Sequence, residues 1–175
     1  VLGGGTYQGA LTNLGRILLS SSASQTWEGV LSGTGTLVKA GTGVLTLAGA
    51  NLYAGGTIVS GGTLRVRNAS GSGTGSGPVN LRAGTLLAGS GSLASAVDAP
   101  AGVTLAAGDA GVGTLTLGAL RLGAGSTSRV EVAADGSSND LLVVTSVNGF
   151  TNDGCALFLY QSGTVLPWTP ATTNP

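Results

Sequence analysis

Apolar residues recur along the chain in short runs that alternate with polar ones: Leu45-Thr46-Leu47, Leu64-Arg65-Val66-Arg67, Val79-Asn80-Leu81, Leu115-Thr116-Leu117, Leu120-Arg121-Leu122 and Arg129-Val130-Glu131-Val132. Successive side chains of an extended strand point to opposite faces, so this period of two reads as strands with one buried face. The alternation predicts that Leu45, Leu47, Leu64, Val66, Leu86, Leu105, Leu115 and Leu117 point inward, and that Arg65, Arg67, Arg121 and Glu131 point outward. Glycine clusters such as Gly41-Thr42-Gly43, Gly55-Gly56, Gly61-Gly62, Gly89-Ser90-Gly91 and Gly123-Ala124-Gly125 bound these runs. Glycine reaches turn conformations that cost other residues a steric clash, so these are the corners. No helical apolar stripe is sustained anywhere, and glycine and serine interrupt the best attempt, around Leu14 to Leu19. The chain reads as all-β.

The runs also repeat. Strand-opening apolar residues after a small-residue turn fall at Leu45, Leu64, Leu86 and Leu105, successive differences of 19, 22 and 19. Such a period implies a stack of coils, each rising one inter-strand spacing of about 4.8 Å, with equivalent inward positions forming ladders of Leu, Val and Ala. The spacing predicts a right-handed, single-stranded parallel β-helix of roughly eight coils at about 20 residues per coil. A sandwich would also show short strands between regular turns. The low aromatic content, 4%, and the recurrence of one turn chemistry from coil to coil favour the solenoid.

From Trp27 onward the chain carries a longer motif: Trp27-Glu28-Gly29-Val30-Leu31-Ser32-Gly33-Thr34-Gly35-Thr36-Leu37-Val38-Lys39-Ala40-Gly41-Thr42-Gly43-Val44-Leu45-Thr46-Leu47. Gly49-Ala50-Asn51-Leu52-Tyr53-Ala54-Gly55-Gly56-Thr57 and Ile58-Val59-Ser60-Gly61-Gly62-Thr63-Leu64 follow. This stretch closely resembles the autotransporter-associated β-strand repeat, also called the passenger-associated transport repeat. Later coils, Gly84 to Leu93, Gly113 to Leu117 and Asn139 to Val144, resemble those that commonly follow it. The resemblance covers about residues 27–148 and fades from Phe150 to Pro175. Its organisation is read as lead-in strands over 1–26, a repeat-like β-helix over 27–148, and a terminal coil with an extended arm over 149–175. The resemblance implies an exported bacterial β-helix, extracellular or on the cell surface, serving as a stalk or scaffold.

Composition narrows the chemistry. With 33 glycines and only seven basic and seven acidic residues in 175, the chain has zero formal net charge, and Lys39 is its one lysine. No basic stripe exists to neutralise nucleic-acid phosphates or hold anionic lipid, and no apolar stretch approaches about 18 residues without glycine or a polar interruption, so neither nucleic-acid binding nor membrane insertion by this segment is expected. Histidine is absent and Cys155 stands alone, which removes histidine triads, intrachain disulfides and clustered-cysteine metal sites. Cys155 alternates with Leu157 and Leu159 and is expected to pack as a small hydrophobe. Val1 opens the sequence without a leader pattern, as in a processed or excised segment.

No cofactor, metal or catalytic residue is expected. Asp98 and Asp109 lie in adjacent turns, and Glu131, Asp135 and Asp140 lie within ten residues, so a carboxylate pair for sugar hydrolysis is conceivable. Against it, Glu131 alternates with Val130 and Val132, and Asp135-Gly136 and Asn152-Asp153-Gly154 read as turns. The run Gly71-Ser72-Gly73-Thr74-Gly75-Ser76-Gly77 imitates a dinucleotide fingerprint but leads into Pro78-Val79 and another strand, as a flexible loop between coils would. Arg65, Arg67 and Arg82 could line one face as an anion stripe, and Asn68-Ala69-Ser70 matches a glycosylation sequon.

The leading expectation is a non-enzymatic rigid rod, a stalk or a filament assembled head to tail. Its partners would be further copies of itself or the flanking coils of a longer chain. The candidate self-association residues are Val1, Leu2, Tyr7, Val165, Leu166, Pro167 and Trp168, because a solenoid leaves strand edges open at its ends. The alternatives are an adhesin rod that binds glycans or matrix, for which only Trp27, Trp168, Tyr7, Tyr53 and Tyr160 could supply exposed aromatics, and a carbohydrate-active β-helix enzyme.

Overall fold

The computed structural model describes residues 4–108, 111–131, 138–161 and 164–166, with side chains as far as Leu157. The described residues contain strands and turns and no helix. The first coil comprises β1 (Gly5–Tyr7), β2 (Leu11–Thr12) and β3 (Arg16–Leu19). The second repeats it as β4 (Gln25–Trp27), β5 (Leu31–Ser32) and β6 (Thr36–Lys39). Later coils keep two strands each: β7 (Val44–Leu47) with β8 (Thr57–Val59), β9 (Thr63–Val66) with β10 (Val79–Leu81), β11 (Leu86–Gly89) with β12 (Ser92–Ala99), and β13 (Thr104–Ala107) with β14 (Thr114–Leu122). The last turn holds β15 (Thr127–Glu131), β16 (Leu141–Val144) and β17 (Phe150–Asn152), then β18 (Ala156–Gln161) and β19 (Thr164–Leu166).

Two parallel sheets form the main walls. The first stacks β1-β4-β7-β9-β11-β13-β15-β18, and the second stacks β3-β6-β8-β10-β12-β14, with β16 and β17 both laid along β14. Along the first wall Gly5 lies opposite Gln25, then Leu45, Leu64, Leu87, Leu105 and Ser128 follow in register. These six turns average about 21 residues each. The next interval, Ser128 to Leu157, takes 29 residues. That lengthening, together with the end of parallel stacking at β18, leaves about six regular turns rather than the eight expected. Beyond it β19 pairs antiparallel with β18, so the parallel stacking of this wall stops there.

The interior is a set of aliphatic ladders. Leu45, Leu64, Leu87 and Leu105 form one column, and Leu47 and Val66 a second; all six are buried. From the opposite wall Val79, Val97 and Leu120 meet them, again buried and in register. Because parallel strands from successive coils present the same face, each buried residue packs against its equivalents above and below. Leu64→Ala is therefore expected to lower unfolding free energy by about 2–5 kcal/mol. Arg121→Ala, on the exposed face of β14, should leave the denaturation midpoint unmoved. Equal midpoint shifts in urea for the two variants would refute this register.

Of the residues expected inward, seven of eight are buried: Leu45, Leu47, Leu64, Val66, Leu105, Leu115 and Leu117. Leu86 is the exception. It lies opposite Thr63 and Thr104 in an outward column and is half-buried, while Leu87 takes the core position. The cause is the preceding corner. Arg82 to Thr85 form a turn closed by Thr85 N–H on the Arg82 carbonyl (3.2 Å), with Gly84 at φ +80°. Positive φ at the third position defines a type II turn and favours glycine. The Thr85 hydroxyl also donates to the Arg82 carbonyl (2.6 Å). The turn thus sends Thr85 inward and Leu86 out. The outward expectations hold for Arg67 and Arg121, which are exposed, whereas Arg65 and Glu131 are half-buried.

Candidate functional site

Interior polar groups lock the coils together, and outer faces are what remain for binding. Asn51 is the central lock. Its Oδ1 accepts Leu31 N–H (2.7 Å) from the coil before, and its Nδ2 donates to the Gly73 carbonyl (2.6 Å) of the coil after. Asn13 and Asn68 act similarly: Asn13 Nδ2 donates to the Thr36 carbonyl (3.1 Å), and Asn68 Oδ1 accepts Ser92 N–H (3.0 Å). Corners of a solenoid cannot continue the strand ladder, so a side-chain amide supplies the missing partner. Asn68 is buried in this way, and its sequon is closed to a sugar. The Gly71–Gly77 run is a packed corner rather than the flexible loop expected: Thr74 is fully buried, and Ser72 Oγ donates to the Gly75 carbonyl (2.6 Å).

Lys39 points into the core column of β6, between Leu19 and Val59. Its ammonium donates to the Gly41 carbonyl and to the Gly61 carbonyl (3.0 Å), two equivalent corner positions one coil apart. Burial lowers its pKa from the usual value.

Tyr53 is fully buried, and its hydroxyl shares a 2.6 Å hydrogen bond with Thr57 Oγ1. Burial pushes the phenol far above its usual value of 10.0, with the Thr57 bond pulling weakly the other way. The unfolded phenol titrates first, so stability held by the neutral folded group is intact below about pH 10 and is lost as pH rises toward the folded value. Stability measured by urea titration should therefore fall steeply above that pH, and Tyr53→Phe should flatten the decline. At neutral pH the same substitution should cost about 1–3 kcal/mol by leaving Thr57 Oγ1 buried and unpaired.

On the outer face of the second wall a groove of about 480 Å³ runs beside β10, β12 and β14. Its floor is built of small residues, Pro78, Ala96 and Ala119, and one side is polar, with Asn80, Asp98, Arg121 and Thr151. Arg121 bridges two acids: Nη1 lies 3.1 Å from Asp98 Oδ1, and Nη2 lies 2.9 Å from Asp153 Oδ2. Both carboxylates raise the Arg121 pKa. Asn148 and Gly149 close one end. They belong to a turn, Gly149 N–H to Ser146 carbonyl (2.9 Å), in which Asn148 holds φ +58° and Val147 stands 91% exposed. Five residues, 145–149, lie here opposite only Gly118 and Ala119, so the turn stands out from the wall.

At the start of the stack, Thr6, Tyr7, Ala10, Leu11 and Trp27 surround a second groove of about 430 Å³. Tyr7 meets Trp27 edge to face, with ring centroids 6.1 Å apart. Leu11, Leu14 and Leu18 of this first coil are exposed.

Of the acids singled out by spacing, Asp98 faces outward in the groove, whereas Asp140 is buried with its two oxygens on Gly113 N–H (2.8 Å) and Glu131 N–H (2.8 Å), a clamp for the backbone. Asp109 and Asp135 lie outside the described residues. No three metal-ligating side chains come together among the described residues. Arg65 lies opposite Thr46 and Ala88, and Arg82 follows β10 in the other wall, so no single arginine column forms. Tyr53 is fully buried and cannot line a glycan surface, and Trp27 is buried except where it borders the groove at Tyr7. Cys155 is half-buried against the core, and burial raises its thiol pKa. Of the end residues, Tyr7 is half-buried, Val165 and Leu166 lie on β19, and Val1, Leu2, Pro167 and Trp168 fall outside the described residues. Only pairing register brings Asn80, Asp98, Arg121 and Thr151 into one column, so alternation along the chain does not disclose the groove. The position of Asn80, Asp98 and Arg121, each between two apolar residues of its strand, is the sequence signal that the column leaves.

Stacked parallel strands, asparagine-locked corners and aliphatic ladders define the class: a repeat-built parallel β-solenoid. Comparison with known proteins names the repeat. The passenger-associated transport repeat matches residues 37–66, from β6 through β9. A relative, the "Adhesin BmaC autotransporter" of Brucella suis biovar 1 (strain 1330), is 36% identical over 150 residues. That alignment covers 83% of this chain and 4% of the relative, so the chain spans a small part of the relative's length. No solved structure matches. The chain thus carries a passenger-associated transport repeat within its solenoid and is similar over most of its length to a segment of an autotransporter adhesin.

Proposed function

We propose that this chain is a rod-forming segment of a secreted or surface-displayed autotransporter passenger, acting as an adhesin-like structural module without catalytic activity. The observation that carries the reading is the unbroken first wall, eight parallel strands from β1 to β18, which suits a part that spans distance. The relative's name, an adhesin autotransporter, supports the surface setting. The test is protease treatment of intact cells expressing the full-length protein. Loss of this segment from unbroken cells is expected, and protection until lysis would overturn the reading.

The finer form is end-to-end stacking, either on flanking coils or on another copy. It is supported by the exposed Leu11, Leu14 and Leu18 of the first coil and by the groove at Tyr7. Trp27 lines that groove, and its indole N–H is buried without a partner among the described residues. The residues in play are Val1, Leu2 and Tyr7 at one end and Val165, Leu166, Pro167 and Trp168 at the other. Light scattering on the purified chain tests the self-stacking form. Rods that lengthen with concentration and disappear when residues 165–175 are deleted support it, and a monomer at all concentrations counts against it.

A further inference from the structure

We propose that the groove on the outer face of the second wall binds a linear, uncharged glycan lying along the solenoid axis. Register places one residue per coil in a single column on the outer side of the wall, Leu18, Val38, Ile58, Asn80, Asp98, Arg121 and Thr151, of which Val38 is buried by its neighbours. The first three are apolar, and the last four offer donors and acceptors. Beside this polar half, the adjacent column holds Pro78, Ala96, Ala119 and Gly149, whose small side chains open the trough.

Geometry selects an extended polymer. Column members are separated by the inter-strand spacing of about 4.8 Å, close to the advance of one pyranose ring in an extended chain. A glycan running across the strands would therefore present one sugar to each coil. The protruding turn at Ser146–Gly149 would meet the end of such a chain, because Asn148 and Gly149 wall the groove there.

Chemistry selects a sugar. Vicinal hydroxyls both donate and accept, and the polar side supplies an amide, two carboxylates, a guanidinium and a hydroxyl. Asp98 and Asp153 each reach Arg121 through one oxygen, and a carboxylate carries about four lone-pair sites, so acceptor capacity remains. Pro78, Ala96 and Ala119 give an apolar floor for the C–H face of a ring. Charge selects a neutral polymer: two carboxylates against one guanidinium leave the site negative, which repels uronic or sulfated chains. All these groups sit on paired strands or directly beside them, so little ordering is required on binding.

The proposal rests on the surface reading only for access to extracellular glycans, and the proteolysis of intact cells described above decides that point separately. Titration calorimetry of the purified chain with chitohexaose, cellohexaose and mannohexaose, and with hexagalacturonate as the anionic comparator, tests the groove. We expect at least one neutral hexasaccharide to bind and to bind more tightly than its disaccharide. Asp98→Ala and Arg121→Ala should each weaken binding by about tenfold, the scale of one charge-assisted hydrogen bond. Ala96→Leu, which fills the exposed floor, should abolish binding with an unchanged melting temperature. Absence of binding by all three neutral hexasaccharides overturns the proposal. So does preference for hexagalacturonate, capture of a proline-rich peptide in their place, or affinity indifferent to both Asp98→Ala and Ala96→Leu.

Discussion

Gly75→Ala is expected to be among the most damaging single substitutions in this chain, lowering unfolding free energy by about 4 kcal/mol or more. Two costs coincide at this corner. Gly75 holds φ +67°, where a side chain crowds its own backbone, and a Cβ there would sit 2.0 Å from the Tyr53 carbonyl oxygen. That oxygen belongs to the coil before and accepts Ser76 N–H (3.1 Å), so it cannot retreat without breaking the coil-to-coil contact. Gly84→Ala separates the two costs. Gly84 has a similar φ of +80°, but nothing lies within 4 Å of the added Cβ. It should pay only the backbone penalty, about 1–2 kcal/mol. Urea denaturation of both variants provides the measurement. Comparable losses would show that close coil approach matters less than this packing implies.

Asn51→Leu is expected to be nearly as damaging even though leucine branches at the same carbon as asparagine and suits a buried site. The substitution strips partners from Leu31 N–H and the Gly73 carbonyl together. Each buried backbone group left unpaired costs about 1–3 kcal/mol, so a combined loss of about 2–6 kcal/mol follows. Because the two groups lie in different coils, the damage should spread both ways along the stack. Amide hydrogen exchange should quicken at Leu31 and around Gly73 before it quickens in β13 or β14. Uniform quickening, or a loss under about 1 kcal/mol, would show that Asn51 is not the bridge between its neighbours.

The two corner residues differ in how readily the sequence discloses them. Asn51 stands out inside the repeat motif, whereas Gly75 lies in a glycine-serine run whose composition suggests a loose connection. Composition reports what a segment could do alone. It carries no record of the Tyr53 carbonyl pressed against Gly75 from the neighbouring coil. Lys39 teaches the same lesson. Alternation after Leu37 does put it on the inner face of β6, but a lone cation on that face is explicable only once the Gly41 and Gly61 carbonyls are seen to converge on it.

By itself the sequence determined the all-strand class, the coil of about 20 residues and most of the core, because strand period, glycine corners and repeat length are local properties that survive in one dimension. Tertiary structure decided what depends on how one coil sits on the next. Gly62-Thr63-Leu64 and Gly84-Thr85-Leu86 read alike, yet Leu64 is buried and Leu86 faces outward. The turn between Arg82 and Thr85 shifts register by one residue, and a shift of one exchanges the faces of a strand. The groove arises in the same way. Asn80, Asp98, Arg121 and Thr151 are scattered over four strands, and only the pairing of β10, β12, β14 and β17 brings them into one line.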